Sequence, residues 1–188
     1  MSEKPILFNT EMVQAILEGR KTQTRRAIKD PYFNPLISGE WKWNAPVQPG
    51  DIFWVRETWM AEYEYNGASD RALYFYKASD PERKGLWRPS IHMPREAARI
   101  FLLVKDVRCE RLQDITAEDA QAEGCEGFLH YNPLLGCSET VHNFKRIWNS
   151  TIKKNDLSEF WWYANPWVWV IQFERIEKQQ LAGKESRT

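Results

Sequence analysis

Cysteine is scarce in this chain of 188 residues. Cys109, Cys125 and Cys137 are the only three, and no two form a C-x-x-C pair. This excludes a disulfide framework and a cysteine-rich zinc module, and an odd count fits a reducing cytosol. Histidine is equally sparse. His130, Cys137 and His142 are the nearest approach to a metal set, and their spacing fits no zinc pattern, so neither a metal nor any other cofactor is expected. Glycine forms no phosphate-cradling loop of Walker or dinucleotide type. Net charge is absent too: 26 Lys+Arg balance 26 Asp+Glu. That excludes a basic coat for bulk nucleic-acid binding but leaves room for a local basic patch. The longest apolar runs, IFLLV and WVWVI, are of strand length and too short to span a bilayer. MSEKPILFNTEMVQ lacks the apolar stretch of a secretory signal. These absences point to a cytoplasmic protein with no membrane partner.

What is abundant is tryptophan, with 10 residues, within an aromatic share of 14%. Indoles fill cores and also stack on bases. Packing accounts for most of them; Trp59 and Trp87 are the candidates for stacking. Hydrophobic residues reach 43%, enough to build a core without disulfides or metals at this length.

PILF opens the chain as a short strand. Asn9 or Thr10 caps a helix whose Met12, Val13, Ile16 and Leu17 share one face, and Gly19 closes it. KTQTRRAI then reads as a strand, Ile52–Glu57 as another after the Pro49-Gly50-Asp51 turn, and RALYFYKAS as a third beyond the turn-like YNGASD. ARIFLLVKDVRCERLQD is a long strand, or two with a bend near Lys105-Asp106. ITAEDAQAEG is a short helix capped by Thr116 and ended by Gly124. SETVHNFKRIWNSTI is an amphipathic helix capped by Ser138. The last strand, NPWVWVIQFERI, is apolar on both faces, as a central strand or barrel wall is. Proline-rich loops interrupt this order near 30–48 and 79–97, and a further insertion lies near 126–138. Helices cluster rather than alternate with strands, so the class is α+β, with a small, mostly antiparallel barrel and flanking helices as the expected architecture. One domain over 1–177 and a polar tail over 178–188 complete the plan.

The order ILEGRKTQTRR, PGDIFWVRETW, ITAEDAQAEG, WVWVIQFERI resembles the ASCH domain family of PUA-like barrels. VRETW and WRPSIHMPR are similar to the larger members found in phages and prophages. PUA-like domains commonly bind RNA or a modified base. One ASCH branch is an amidohydrolase that removes the acyl group from N4-acetylcytidine. Its catalytic Lys and Thr lie in Gly-Arg-Lys-Thr-x-Thr, matched here by Gly19, Arg20, Lys21, Thr22 and Thr24. Its glutamate lies late in the short helix, and a looser alignment through Ile115, Thr116 and Ala120 places Glu123 there. The resemblance thus implies Lys21, Thr24 and Glu123 as catalytic residues. It implies a modified cytosine nucleoside or RNA as partner. A monomer and a homodimer are both compatible with it.

Such chemistry makes demands that can be stated residue by residue. Thr24 would supply the nucleophile and needs a base in reach. Lys21 serves as base if burial or positive neighbours lower its pKa, and otherwise stabilises an oxyanion. Glu123 would shuttle the proton or accept from the cytosine amine. Arg20, Arg26, Arg56, Glu57, His92 and Arg95 are the candidates for substrate contacts, and Glu57 is a second candidate for the site carboxylate. Each has a blander reading. A Lys past a helix end often bonds helix carbonyls, a strand Thr is usually only that, and loop residues such as His92 and Arg95 are usually solvated. In a regular strand, residues three apart face opposite sides, so Lys21 and Thr24 meet only if Lys21 lies in the turn before the strand or a bulge intervenes. Beside the hydrolase stand two further readings: an RNA- or modified-base-binding module without chemistry, and a single-strand ribonuclease.

Overall fold

A computed structural model describes residues 2–30, 33, 45–65 and 70–177. Within them the chain gathers into two compact units. The first is drawn from the described residues of 2–18, 50–103 and 175–177, the second from those of 19–49 and 104–174. The expected loop near 30–48 falls largely, and the 178–188 tail wholly, outside the described residues.

In the first unit β1 (Glu3–Leu7) runs parallel to β3 (Ile52–Arg56), and β3 pairs antiparallel with the start of β6 (Phe101–Arg111). Helix α1 (Thr10–Leu17) follows β1 in the chain. The Asn9 side chain accepts the Met12 N–H at 2.8 Å, which satisfies one of the donors left over at a helix start. Gly19 adopts φ +77, where a residue with a Cβ is strained. A separate ladder joins β4 (Trp59–Tyr65) to β5 (Asp70–Tyr76), from Trp59↔Tyr76 to Tyr65↔Asp70. The sequence reading had no strand over β4. Its core is Ile52, Trp59, Met93, Ala97, Ala98 and Phe101. Two single 3₁₀ turns, Ser90–His92 and Arg95–Ala97, punctuate the loop expected over 79–97.

The second unit holds the rest of β6 beside β9 (Trp167–Ile176), with β2 (Gln23–Ala27) outermost. β2 is antiparallel to β9, from Gln23↔Gln172 to Ala27↔Val168. β6 is continuous through Lys105-Asp106, where a bend had been one expectation. Helix α2 (Ala117–Ala122) carries the Thr116 cap, whose hydroxyl accepts from Asp119 N at 3.1 Å. The insertion near 126–138 folds back as the small hairpin β7 (Tyr131–Asn132) and β8 (Cys137–Ser138). Helix α3 (Glu139–Thr151) buries Val141, Phe144 and Trp148 along one stripe. Full burial of such side chains stabilises by about 1.5–3 kcal/mol each. A one-turn helix, α4 (Leu157–Phe160), precedes β9.

The architecture is α+β. The expected barrel is not found among the described residues: their strand pairings form open sheets, and none closes the ends of a sheet on one another. No described helix is long and apolar enough to cross a membrane.

Candidate functional site

The site is set by how the turn after α1 meets the end of α2. The free edge of β2 would leave backbone groups unpaired at its start. Instead Thr22 N donates to Ala122 O at 2.9 Å, and Lys21 bridges Glu123 in antiparallel fashion. On the other side Phe173 N donates to Thr22 O at 2.9 Å. Lys21 therefore sits in the turn entering the strand, between a helix end and a sheet.

That position buries Lys21 to 2% exposure. Its ammonium donates to Gln23 O at 2.7 Å, to Glu123 O at 2.9 Å and to Glu123 Oε2 at 2.7 Å. An ammonium has three donors, and all three are used. The bland expectation, a lysine bonding helix-end carbonyls, is thus met in an altered form. The carbonyl belongs to α2, far along the chain, rather than to α1. Arg20 joins it there, donating from Nη1 to Gly124 O at 3.1 Å and facing Glu126 at 3.7 Å. A glutamate at a helix C-terminus is disfavoured by the helix dipole. Here cations on both sides offset that.

Burial holds the Lys21 ammonium below its ordinary pKa of 10.5. The charge and hydrogen bond of Glu123 oppose the shift, and Arg26 adds to it. Burial likewise pushes Arg26 down, again against the pull of Glu123. The Cys125 thiol, buried next to the same charges, is pushed up to about 11.

Thr24 is 3% exposed. Strand alternation turns its side chain away from the face that carries Gln23 and Arg25. Lys21 is nonetheless near, because its Nζ bonds the carbonyl of the very peptide that joins Gln23 to Thr24. Covalent geometry then keeps the Thr24 hydroxyl within about 8 Å of Nζ.

Residues on the Gln23–Arg25 face form a buried charge network that sequence reasoning missed. Arg25 donates to Glu123, Asp119 and Glu110, and Arg108 donates to Glu110 and Asp119. Gln23 Nε2 donates to Asp119 at 3.0 Å. Glu110 and Asp119 thus link β6, α2 and β2. The available signal was parity: Gln23 and Arg25 alternate on one strand, Arg108 and Glu110 on another, and Asp119 and Glu123 lie four apart on one helix. For Asp119, burial raises the carboxyl pKa. Hydrogen bonds from Gln23 and Thr116 and the charges of Arg25 and Arg108 outweigh it, so the net shift is downward. A cleft of about 520 Å³ flanks the same helix end, lined by Arg20, Thr22, Gln121, Cys125 and Glu126 among others. Lys21, Thr24 and Glu123 are not among its lining residues.

The remaining candidates belong to the first unit. Glu57, 1% exposed, is held by both Nε and Nη2 of Arg99 at 2.9 Å, so its carboxylate is fully engaged by a structural partner. Arg56 bonds Ile91 O and lies 5.5 Å over the Trp54 ring, while its Nε is buried without a hydrogen-bond partner among the described residues. Arg95 pairs with Glu3 at 2.7 Å and stacks on Phe101. His92 is exposed. Trp59 is a core residue, packed against Tyr74; Trp87 lies under Lys77. Among the described residues no group of three or more His, Cys, Asp or Glu is arranged to hold a metal.

Compared with known proteins, the chain matches no family model and no curated protein. Solved structures similar to it include protein EF3133 from Enterococcus faecalis, of family DUF984, at 11% identity and TM-score 0.47, with 94% of this chain and 82% of that one covered. A mutant of the ZmASCH protein from Zymomonas mobilis is similar at 9% identity and TM-score 0.37, covering 99% and 83%.

Proposed function

We propose that the chain is a metal-independent amidohydrolase that removes an acyl group from N4-acylated cytosine nucleosides or a related modified base. The observation that carries this reading is the buried Lys21–Glu123 pair, one peptide away from the Thr24 hydroxyl. The resemblance of Gly19–Thr24 to the acetylcytidine-hydrolysing branch supplies the substrate class.

The pair holds one proton in either of two arrangements: ammonium with carboxylate, or amine with carboxylic acid. At Lys21, burial and the Arg26 charge favour the amine, while the charge and hydrogen bond of Glu123 favour the ammonium. A Lys21 amine accepts the Thr24 proton as Oγ1 attacks the acyl carbon, directly or through one water. The C–N bond then breaks, and the proton passes from the Lys21–Glu123 pair to the departing N4. With the free exocyclic amine gone, water hydrolyses the threonyl ester, giving the carboxylic acid and restoring the Thr24 hydroxyl. Arg20 and Arg26 bring positive charge to the developing oxyanion.

A second reading, base binding without chemistry, is favoured by one observation: all three Lys21 donors are already satisfied within the protein. Incubation with N4-acetylcytidine, N4-acylated homologues and an RNA oligonucleotide, followed by chromatography, separates the readings. Cytidine release supports the hydrolase. Salt-sensitive binding with no product supports the module, and cleaved RNA supports a ribonuclease.

A further inference from the structure

Glu123 answers to two cations at once. Its Oε2 accepts from Lys21 at 2.7 Å, while its Oε1 accepts from Arg25 Nη1 at 3.3 Å. Arg25 has a fully buried side chain, at 0% exposure. It also bonds Glu110 through Nε and Nη2, and Asp119 through Nη2 at 3.1 Å. Arg108 closes the outer side, donating to Glu110 Oε2 and Asp119 Oδ1, each at 3.1 Å. The Phe144 ring lies 5.8 Å from the guanidinium carbon. Three cations, Lys21, Arg25 and Arg108, thus meet three carboxylates, Glu110, Asp119 and Glu123.

A guanidinium is a rigid plane with five donors, so it can serve three carboxylates in fixed directions. Two of the three, on β6 and α2, hold the plane still; the third is held by it. The backbone at the end of α2 is tied to the entry of β2, but the Glu123 carboxylate extends beyond it and is oriented by its side-chain partners. We propose that Arg25 is a positioning residue: tethered by Glu110 and Asp119, it keeps one Glu123 oxygen engaged so that the other stays aimed at the Lys21 ammonium. This rests on the reading that Lys21 and Glu123 are the reacting pair. Arg25 itself touches no reacting atom.

The test reads Lys21 directly. Protein labelled with ¹³C at lysine Cε is titrated by NMR, with the Lys21 signal assigned by its loss in Lys21→Met. The charged neighbours of Lys21 are Glu123 and Arg26, with the Cys125 thiol beside them. Arg25→Lys keeps the charge but loses the planar fork. If Arg25 positions Glu123, the ion pair loosens and the Lys21 midpoint falls by about one pH unit. Turnover on N4-acetylcytidine falls roughly 10- to 100-fold, with KM nearly unchanged. A folded Arg25→Lys protein with an unmoved Lys21 midpoint overturns the proposal. Should that variant not fold, Arg108→Lys, half-exposed and charge-conserving, loosens the tether from outside. A smaller fall supports the proposal and no fall overturns it. A wild-type protein inert toward every acylated cytidine would defeat the proposed function and leave this titration readable.

Discussion

Glu123→Gln changes one oxygen to an amide and leaves the Lys21 ammonium, 1% exposed at its side chain, with two backbone carbonyls and no counter-charge. Removing one partner of a buried pair destabilises by about 3–5 kcal/mol. The lower end applies, because the amide oxygen still accepts a hydrogen bond. A ceiling also exists, because Lys21 can shed its proton instead. Deprotonation at pH 7 of a group whose ordinary pKa is 10.5 costs about 5 kcal/mol at most, and less when the folded-state value is already lowered. A loss of about 3 kcal/mol lowers the melting temperature by roughly 6–12 °C for a chain of this size. The pH dependence has a definite sign. A lysine with a folded pKa below its unfolded one binds its proton more tightly in the unfolded chain, so folding gains stability as pH rises from the folded value toward 10.5. The variant depresses that value further, so the gap between wild type and Glu123→Gln is widest near pH 7 and narrows toward pH 10. Urea unfolding at several pH values measures this. Equal stability of the two proteins at pH 7, or a gap that widens with pH, refutes the reasoning.

Other consequences follow from particular contacts. Arg99→Met strands the buried Glu57 carboxylate and lowers stability by about 3 kcal/mol in urea unfolding, whatever happens to activity. Thr116→Ala removes the cap of α2 and costs about 1 kcal/mol, seen as a small drop in melting temperature. Gly19→Ala meets no steric contact, so its cost is backbone strain alone, about 1–2 kcal/mol by the same assay. Cys109 and Cys125, both pushed up to about 11, react slowly with a disulfide reagent at pH 8, at rates that climb steadily up to about pH 10.

Local signals carried much of the fold. Asn9, Thr116 and Ser138 each mark a helix start by a side chain that reaches a nearby N–H, and Gly19 marks an end by a backbone only glycine adopts cheaply. β4 escaped notice because no strong turn separates WMAEYEY from the strand before it, although Ala61 to Tyr65 alternates with period two. Barrel closure was inferred from a strand apolar on both faces. The structure explains that strand without closure, since in the second unit β9 lies between β6 and β2 with α3 packed near Val168 and Val170. In the site, Lys21 and Glu123 were paired through motif resemblance, and they are in contact across 102 residues of sequence. The Arg25 network was not anticipated, because charge parity within one strand says nothing about which distant carboxylates face it. Glu57 reads from sequence as a candidate cleft residue, and Arg99, 42 residues on, engages both its oxygens.

The most direct measurement of the central claim is a single-turnover reaction, with enzyme in excess over N4-acetylcytidine, following cytidine and acetate together. The account predicts equimolar cytidine and acetate from the wild type without added metal. It predicts a loss of about a thousandfold or more in Thr24→Ala and in Lys21→Met, both still folded. Folded wild-type protein that yields no cytidine, or a Thr24→Ala variant that keeps the full rate, contradicts it.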